Sequence, residues 1–264
     1  PPAPLAPALA SVPVRGADER VAHPHEDVSD AVLGARVTPR RLPLPHVGIG
    51  RSARFQFDGE RRGWVLQLAD GALLATPAYA RGKVFVGAGF SSTTVYALDA
   101  KTGALEWTGV TPDGGPSAAI VEDDTVMFNT ESCTLFAFDV ETGRLKWSKW
   151  LGDPLMSQPA AAGGRVFTAW PDGARTSGFS FGALSSRNGT ILWKREAPAD
   201  VITAPVIAGD SVYFATMDGT LQRHRLNDGH RFWQRALNAT SAPAVDGDRV
   251  YVAQRVDGGR ERQL

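Results

Sequence analysis

Cysteine, methionine, a charge excess and long apolar runs are what this sequence has little of. Its 264 residues hold a single cysteine, Cys133, so an internal disulfide and a multi-cysteine zinc site are both excluded. Lys+Arg and Asp+Glu are equal at 28 each. A zero net charge gives no electrostatic case for nucleic acid or an anionic membrane as the main partner. There is no apolar run of the roughly 18 residues a membrane-spanning helix needs. The opening Pro1-Pro2-Ala3-Pro4-Leu5-Ala6-Pro7 has linker composition, with no Met and no apolar signal core. It reads as the start of a processed or excised piece, which leaves room for membrane attachment through a missing N-terminal anchor. What the sequence has in quantity is Gly, at 28, and Pro, at 18. That mix suits short strands and tight turns better than long helices.

Three markers recur in one order. The first is Gly-x-x-x-Trp: Gly103 to Trp107, Gly143 to Trp147, Gly189 to Trp193 and Gly229 to Trp233, with Trp spacings of 40, 46 and 40. The second is a proline before a small or branched residue, at Pro77-Ala78, Pro159-Ala160, Pro205-Val206 and Pro243-Ala244, with Pro116-Ser117-Ala118 as a looser copy. The third is a short apolar strand after a Gly or Asp turn, as in Val84-Phe85-Val86 and Val126-Met127-Phe128. One period holds four strands of about five residues, A to D. Both faces of these strands are largely apolar, and a lone sheet cannot hide two apolar faces. Radial stacking can, because each sheet covers its neighbours on both sides. The expected fold is all-β: a β-propeller of four-stranded antiparallel blades.

The expected blades span 76–110, 116–150, 158–196 and 204–237, inside a propeller over 51–264 that follows a Pro-rich, poorly ordered tail or linker over 1–50. Partial elements at 53–68 and 241–264 make a split or truncated fifth blade. Either they pair and close a five-bladed ring, or the chain is cut from a longer array. The second is preferred because natural termini seldom fall inside a repeat.

Ala97-x-Asp99-x-x-Thr102-Gly103-x-x-x-Trp107 resembles the tryptophan-docking repeat of pyrroloquinoline-quinone-type (PQQ-like) propellers, and Ala137-x-Asp139-x-x-Thr142-Gly143-x-x-x-Trp147 matches it equally well. The third copy has Ser185 for the Asp and Asn188 before Gly189; the fourth has Arg223 and Arg225 for the Ala and Asp. The resemblance covers residues 64 to 255. It implies that Trp107, Trp147, Trp193 and Trp233, with Gly103, Gly143, Gly189 and Gly229, are structural devices that dock blade on blade. It also implies two functional classes. One is a non-enzymatic branch of interaction platforms outside the bacterial cytoplasm, in the periplasm or at the cell surface, similar to a lipoprotein that assists outer-membrane barrel assembly. The other is a PQQ-dependent alcohol or sugar dehydrogenase, of which this chain would be a fragment. Such enzymes hold the quinone in a central funnel beside calcium, and many carry an adjacent cysteine pair, which the lone Cys133 cannot form.

The chemical motifs are weak. Asn129 and Glu131 end a strand B and have calcium-ligand chemistry, but solvated loop groups explain them as well. Cys133 has no histidine in its own or an adjacent copy to serve as base, so it reads as a small residue leading into strand C. His23-Pro24-His25-Glu26 is a two-ligand scrap. Gly48-Ile49-Gly50 and Gly87-Ala88-Gly89 lack the following helix that a dinucleotide fingerprint requires. Arg36, Arg40, Arg41, Arg51, Arg54, Arg61 and Arg62 form a basic stretch without the aromatic interleaving of a nucleic-acid stripe. His224 and His230 flank a turn and read as surface residues.

A non-catalytic protein-binding or scaffolding module is therefore expected, with no cofactor, metal or catalytic residue assigned; PQQ with calcium would follow only from the dehydrogenase reading. The third copy is six residues longer than its neighbours, between strands B and C. Insertions map to loops that often bind. Trp170, Arg175 and Phe179 there, and Trp150 on the same face, form the expected partner surface.

Overall fold

Each strand of the repeat is short, three to seven residues in the complete blades, because Gly or Asp turns reverse the chain, and each keeps two faces because side chains alternate. The computed structural model describes residues 44–57, 61–68, 75–90, 92–152, 158–172, 178–201, 203–256 and 260–263. No helix occurs among them. His23 to Glu26, Arg36, Arg40, Arg41 and Arg175 lie outside the described residues.

A hairpin opens the described chain: β1 (Ser52–Phe57) pairs with β2 (Arg61–Leu66). Four antiparallel four-stranded sheets follow, each in simple sequence order. The first blade is β3 (Ala78–Ala80), β4 (Lys83–Gly87), β5 (Thr94–Asp99) and β6 (Leu105–Val110). The second is β7 (Ile120–Glu122), β8 (Thr125–Asn129), β9 (Thr134–Asp139) and β10 (Leu145–Trp150). The third is β11 (Ala160–Ala162), β12 (Arg165–Pro171), β13 (Phe179–Ser185) and β14 (Ile191–Ala197). The fourth is β15 (Val206–Ala208), β16 (Ser211–Ala215), β17 (Thr220–Arg225) and β18 (Arg231–Ala236).

Beyond them, β19 (Ala244–Asp246) pairs with β20 (Arg249–Tyr251), and β21 (Ala253–Val256) pairs with β22 (Arg260–Gln263). Only Val252 separates β20 from β21, so these read as one long strand B with A on its first half and C on its second. Among the described residues, β1 and β2 share no ladder with β19 to β22.

The sheets bury both faces, as their patterning requires. On β9, Phe136 and Phe138 face the first blade, in one cluster with Phe85, Val95 and Trp107. On the other side, Leu135 and Ala137 meet Met127 and the third blade's Val166. All four complete sheets share a register shift between strands C and D, beside the pairs Ala97–Trp107, Ala137–Trp147, Ala183–Trp193 and Arg223–Trp233. This bulge re-aims the indole towards the next blade. The fold is an all-β propeller of PQQ-like repeats.

Register corrects one marker. The residue leading strand A is Ala78, Ile120, Ala160, Val206 and Ala244, opposite Phe85, Met127, Phe167, Tyr213 and Tyr251. The residue before it is a proline in four copies and Ala119 in the second. Pro116 lies three residues earlier and is not the equivalent position.

Candidate interaction face

Strand order puts the B-to-C loops and the blade-to-blade connections at the same strand ends. Backbone bonds stitch them together: Gly115 N–H donates to Ser92 O (2.9 Å), Glu131 N–H to Gly114 O (3.2 Å), Leu151 N–H to Cys133 O (3.0 Å) and Met217 N–H to Asp200 O (2.7 Å). Loops held this way on a rigid scaffold can present side chains at fixed positions.

The repeated tryptophans lie elsewhere, between blades. Trp107 Nε1–H donates to Val140 O at 3.0 Å, Trp147 to Ser186 O at 2.9 Å and Trp193 to Leu226 O at 2.9 Å. Each acceptor is on the C-to-D turn of the next blade. A Cβ on Gly143 would lie 2.6 Å from the Trp107 ring, and one on Gly189 2.7 Å from Trp147. Both glycines also have positive φ, 67° and 70°, so the turn demands glycine twice over. Gly229 packs under Trp193 in the same way. Gly103 receives Trp64, whose Nε1–H donates to Ala100 O at 2.9 Å. Sequence reading missed Trp64 because no Gly precedes it by four; its place 43 residues before Trp107 was the available signal. Trp233 packs beside Tyr213, with ring centroids 6.1 Å apart.

The expected partner surface is only partly brought together. Trp150 is 65% exposed at the end of β10. Trp170 is 5% exposed and packs with Cys133, Leu151 and Leu184, so its indole is core rather than surface. Gly182 beneath it, where a Cβ would lie 2.7 Å from the ring, makes the space that draws it in. Phe179 is partly buried against the cluster between the third and fourth blades. The large apolar side chains this face does expose are Phe90, Val110 and Met217 together with Trp150.

His224 is also unlike its expectation: it is 1% exposed. It stands nine residues before Trp233, as Phe138 stands nine before Trp147, and so points into the neighbouring blade. Burial, opposed by a hydrogen bond to the Gly229 carbonyl, pushes its pKa down to about 4. Cys133 is buried with a positive φ of 57°.

The cleft of this face has a volume of about 300 Å³ and lies where the loops of the first two blades meet the lead-in to the third. Phe90 forms its lip, Pro116 and Ala118 its apolar wall, and Asn129, Thr130 and Gln158 its polar side. Behind Gly115, the Asp113 carboxylate accepts Thr130 Oγ1–H at 2.5 Å and also the Ser132 hydroxyl. Glu131 packs against Gly115. Farther along the face, burial raises the Asp200 pKa. Burial also opposes ionisation of Asp218, but hydrogen bonds from Thr216 and Thr220 outweigh it and hold that carboxyl low. Among the described residues no group of three or more His, Cys, Asp or Glu has metal-holding geometry.

Comparison with known proteins now bears on this geometry. The chain is 31% identical to the outer membrane protein assembly factor BamB of Salmonella typhimurium over 215 residues, covering 75% of this chain and 53% of that protein. It is 27% identical to the Yersinia pestis protein of the same name, covering 70% and 50%. The chain thus spans about half the length of these relatives. Among solved structures, BamB from Moraxella catarrhalis superposes with a TM-score of 0.57 at 16% identity, over 67% of this chain and 57% of that one. A quinohemoprotein alcohol dehydrogenase from Pseudomonas putida gives 0.53 at 16% identity, over 72% and 40%. These two structural likenesses speak to the fold alone. The family model described as outer membrane protein assembly factor BamB matches residues 53–170 and 148–260, and the chain belongs to that family.

Proposed function

We propose that this chain is a non-catalytic protein-interaction module that works outside the cytoplasm in the assembly of outer-membrane proteins. The observation that carries the reading is the loop face: Phe90, Trp150 and Met217 are 66%, 65% and 69% exposed at the strand ends where backbone bonds fix the loops, and a small cleft opens beside Phe90. Exposed aromatic and Met side chains on a rigid frame are what protein interfaces use as anchors. Membership of the assembly-factor family supplies the setting. In this reading Trp107, Trp147 and Trp193 are blade-docking wedges, and binding is left to the loops.

A quinone enzyme is the weaker alternative on the chemistry of the lining. Pyrroloquinoline quinone carries several carboxylates, and among the described residues the cleft has no Lys or Arg in its lining. Carboxylates stand behind it instead, so the cofactor would meet like charge. Cys133 is packed between blades and offers no second thiol.

The test is binding of the full chain to the periplasmic part of the barrel-assembly protein from the same organism, by calorimetry. Saturable one-to-one binding that Trp150→Ala weakens supports the reading. No binding, together with dye reduction on adding the quinone and calcium, overturns it.

A further inference from the structure

We infer that the cleft between the first three blades is a socket for a lysine or arginine side chain of the partner, carried on an extended segment; this rests on the interaction reading above. Size comes first. A space of about 300 Å³ takes one long side chain with a little backbone, and it is too small for a helix or a folded domain.

The walls suit an amphipathic stem. Pro116, Ala118 and Ala75 offer apolar surface to methylenes, and the exposed ring of Phe90 stands at the lip, where a cation can lie over its face. The aromatic anchor and the charge therefore call for the same guest, whereas an uncharged apolar side chain would use only half of the site.

The charge argument is local. Among the described residues the lining holds no Lys or Arg. The turn at its edge, Asp113-Gly114-Gly115, carries the Asp113 carboxylate on one side and supports Glu131 on the other. Neither carboxylate forms an ion pair with a described residue. Glu131 Oε1 is buried and accepts no hydrogen bond among the described residues. A buried carboxylate oxygen without a donor is costly, and a cation seated across the glycine turn would offset part of that cost. The opposite face shows what happens when counter-charges are built in: Lys146 pairs with Asp124 at 2.7 Å, and Lys83 with Glu106 and Glu141. Beside the cleft, among the described residues, Asp113 and Glu131 have no such cation.

The experiment is an NMR titration of the isotope-labelled full chain with the capped peptide Gly-Leu-Arg-Leu-Gly, beside the same peptide with citrulline for arginine. Citrulline keeps the shape and removes the charge. Expected are shifts at Phe90, Gly115, Ser117 and Thr130, with the citrulline peptide about tenfold weaker and added salt weakening the arginine peptide. Phe90→Ala and Glu131→Gln should each weaken it several-fold while signals distant from the cleft stay in place. Equal binding of the two peptides, shifts centred elsewhere, or no binding of the arginine peptide overturns the socket.

A second arm separates this inference from the function it rests on. The F90A/E131Q double variant is compared with the unaltered chain for binding to the barrel-assembly protein. Loss in the variant alone supports the socket. Equal binding by both overturns the socket and leaves the interaction module standing. Failure of the unaltered chain to bind, with the peptide result intact, overturns the proposed setting and leaves the socket.

Discussion

On the side of the second blade turned to the first stand Phe136 and Phe138; in the same places of the fourth blade, turned to the third, stand Gln222 and His224. The backbone frame is shared. Trp107 donates to Val140 O at 3.0 Å in one interface and Trp193 to Leu226 O at 2.9 Å in the other. In the first interface both places are taken by phenylalanine, packed with Phe85, Trp107 and Phe128. The second buries a polar pair that is only partly satisfied: His224 Nδ1 lies 3.1 Å from Gly229 O and Nε2 lies 2.9 Å from Oε1 of the Gln222 amide, while Gln222 Nε2 finds no hydrogen-bond partner among the described residues. Neutral and charged imidazole call for opposite faces of that amide, since a neutral ring with Nδ1–H presents an acceptor at Nε2. The contrast teaches that the same indole-to-carbonyl bond is kept in both interfaces while what fills the space behind it varies in chemistry.

The largest effect should come from removing the shared part. Trp107→Ala and Trp193→Ala are each expected to cost about 3–5 kcal/mol in denaturant unfolding. Trp233→Ala should cost clearly less, because Trp233 is only half-buried. Equal losses at all three would break the idea that the next blade's turn gives the indole its value.

The next effect separates the two interfaces by pH. His224 titrates near 6.5 when unfolded and near 4 when folded, so between these values the unfolded chain takes up a proton that the folded one refuses. Stability is therefore full above pH 6.5 and falls as the pH drops to 4, by about 3 kcal/mol from a shift of roughly 2.5 units. Hydrogen exchange should show the loss in the third and fourth blades and not in the first and second. His224→Leu, copying Leu98 and Leu184 at the same place, should flatten the slope. The carboxylates held low do not blur this window, whereas Asp200, raised by burial, takes up its proton sooner in the folded chain and so offsets part of the loss at the acid end. Hydrogen bonds from the Thr102 and Thr142 side chains hold Asp99 and Asp139 below the usual carboxylate range, so their contribution is lost only at more acid pH.

A smaller effect compares the turns under the indoles. Asp139 accepts Thr142 N–H and its hydroxyl, both at 2.8 Å, and Glu141 N–H at 3.1 Å. Arg225 stands in its place in the fourth blade, where Asp228 takes over by accepting His230 N–H at 2.9 Å. Asp139→Ala is expected to cost about 1 kcal/mol, as loss of a helix cap does. Arg225→Ala should cost less than half of that, read by the same denaturant midpoints.

These two blades also mark what was legible in the sequence. Gly-x-x-x-Trp spacing is visible because the docking contact needs one residue with no Cβ and one large ring, and nothing else serves. Trp64 escaped because its own hairpin does not place a Gly four residues ahead, although it docks on Gly103 as the others dock on their turns. His224 and Trp170 were misread for one reason: a polar or loop residue looks exposed until the register shows which side of the strand it occupies. Counting back from the tryptophan would have placed His224 opposite an aromatic core. Nothing comparable marks the cleft, since its lining comes from loops of separate blades whose approach no local pattern encodes.

The smallest effect should come from the B-to-C loops, where the second and fourth blades share the same backbone hydrogen bonds. Thr130 N–H donates to Thr134 O at 3.0 Å, and Thr216 N–H to Thr220 O at 2.9 Å; Cys133 N–H reaches Thr130 O at 3.0 Å, and Gly219 N–H reaches Thr216 O at 2.8 Å. Cys133 therefore occupies a glycine position, at φ 57° against 83°. A side chain there costs roughly 1–2 kcal/mol in backbone strain. Burying the thiol against Leu151, Trp170 and Leu184 returns about as much. Cys133→Gly removes both and adds freedom to the unfolded chain, so the net change should stay within about 1 kcal/mol. Thiol reagents should react slowly with the native chain, at a rate that follows local opening. A loss well above that range on Cys133→Gly would mean that the sulfur's packing, rather than the loop's backbone, holds the second and third blades together at this edge.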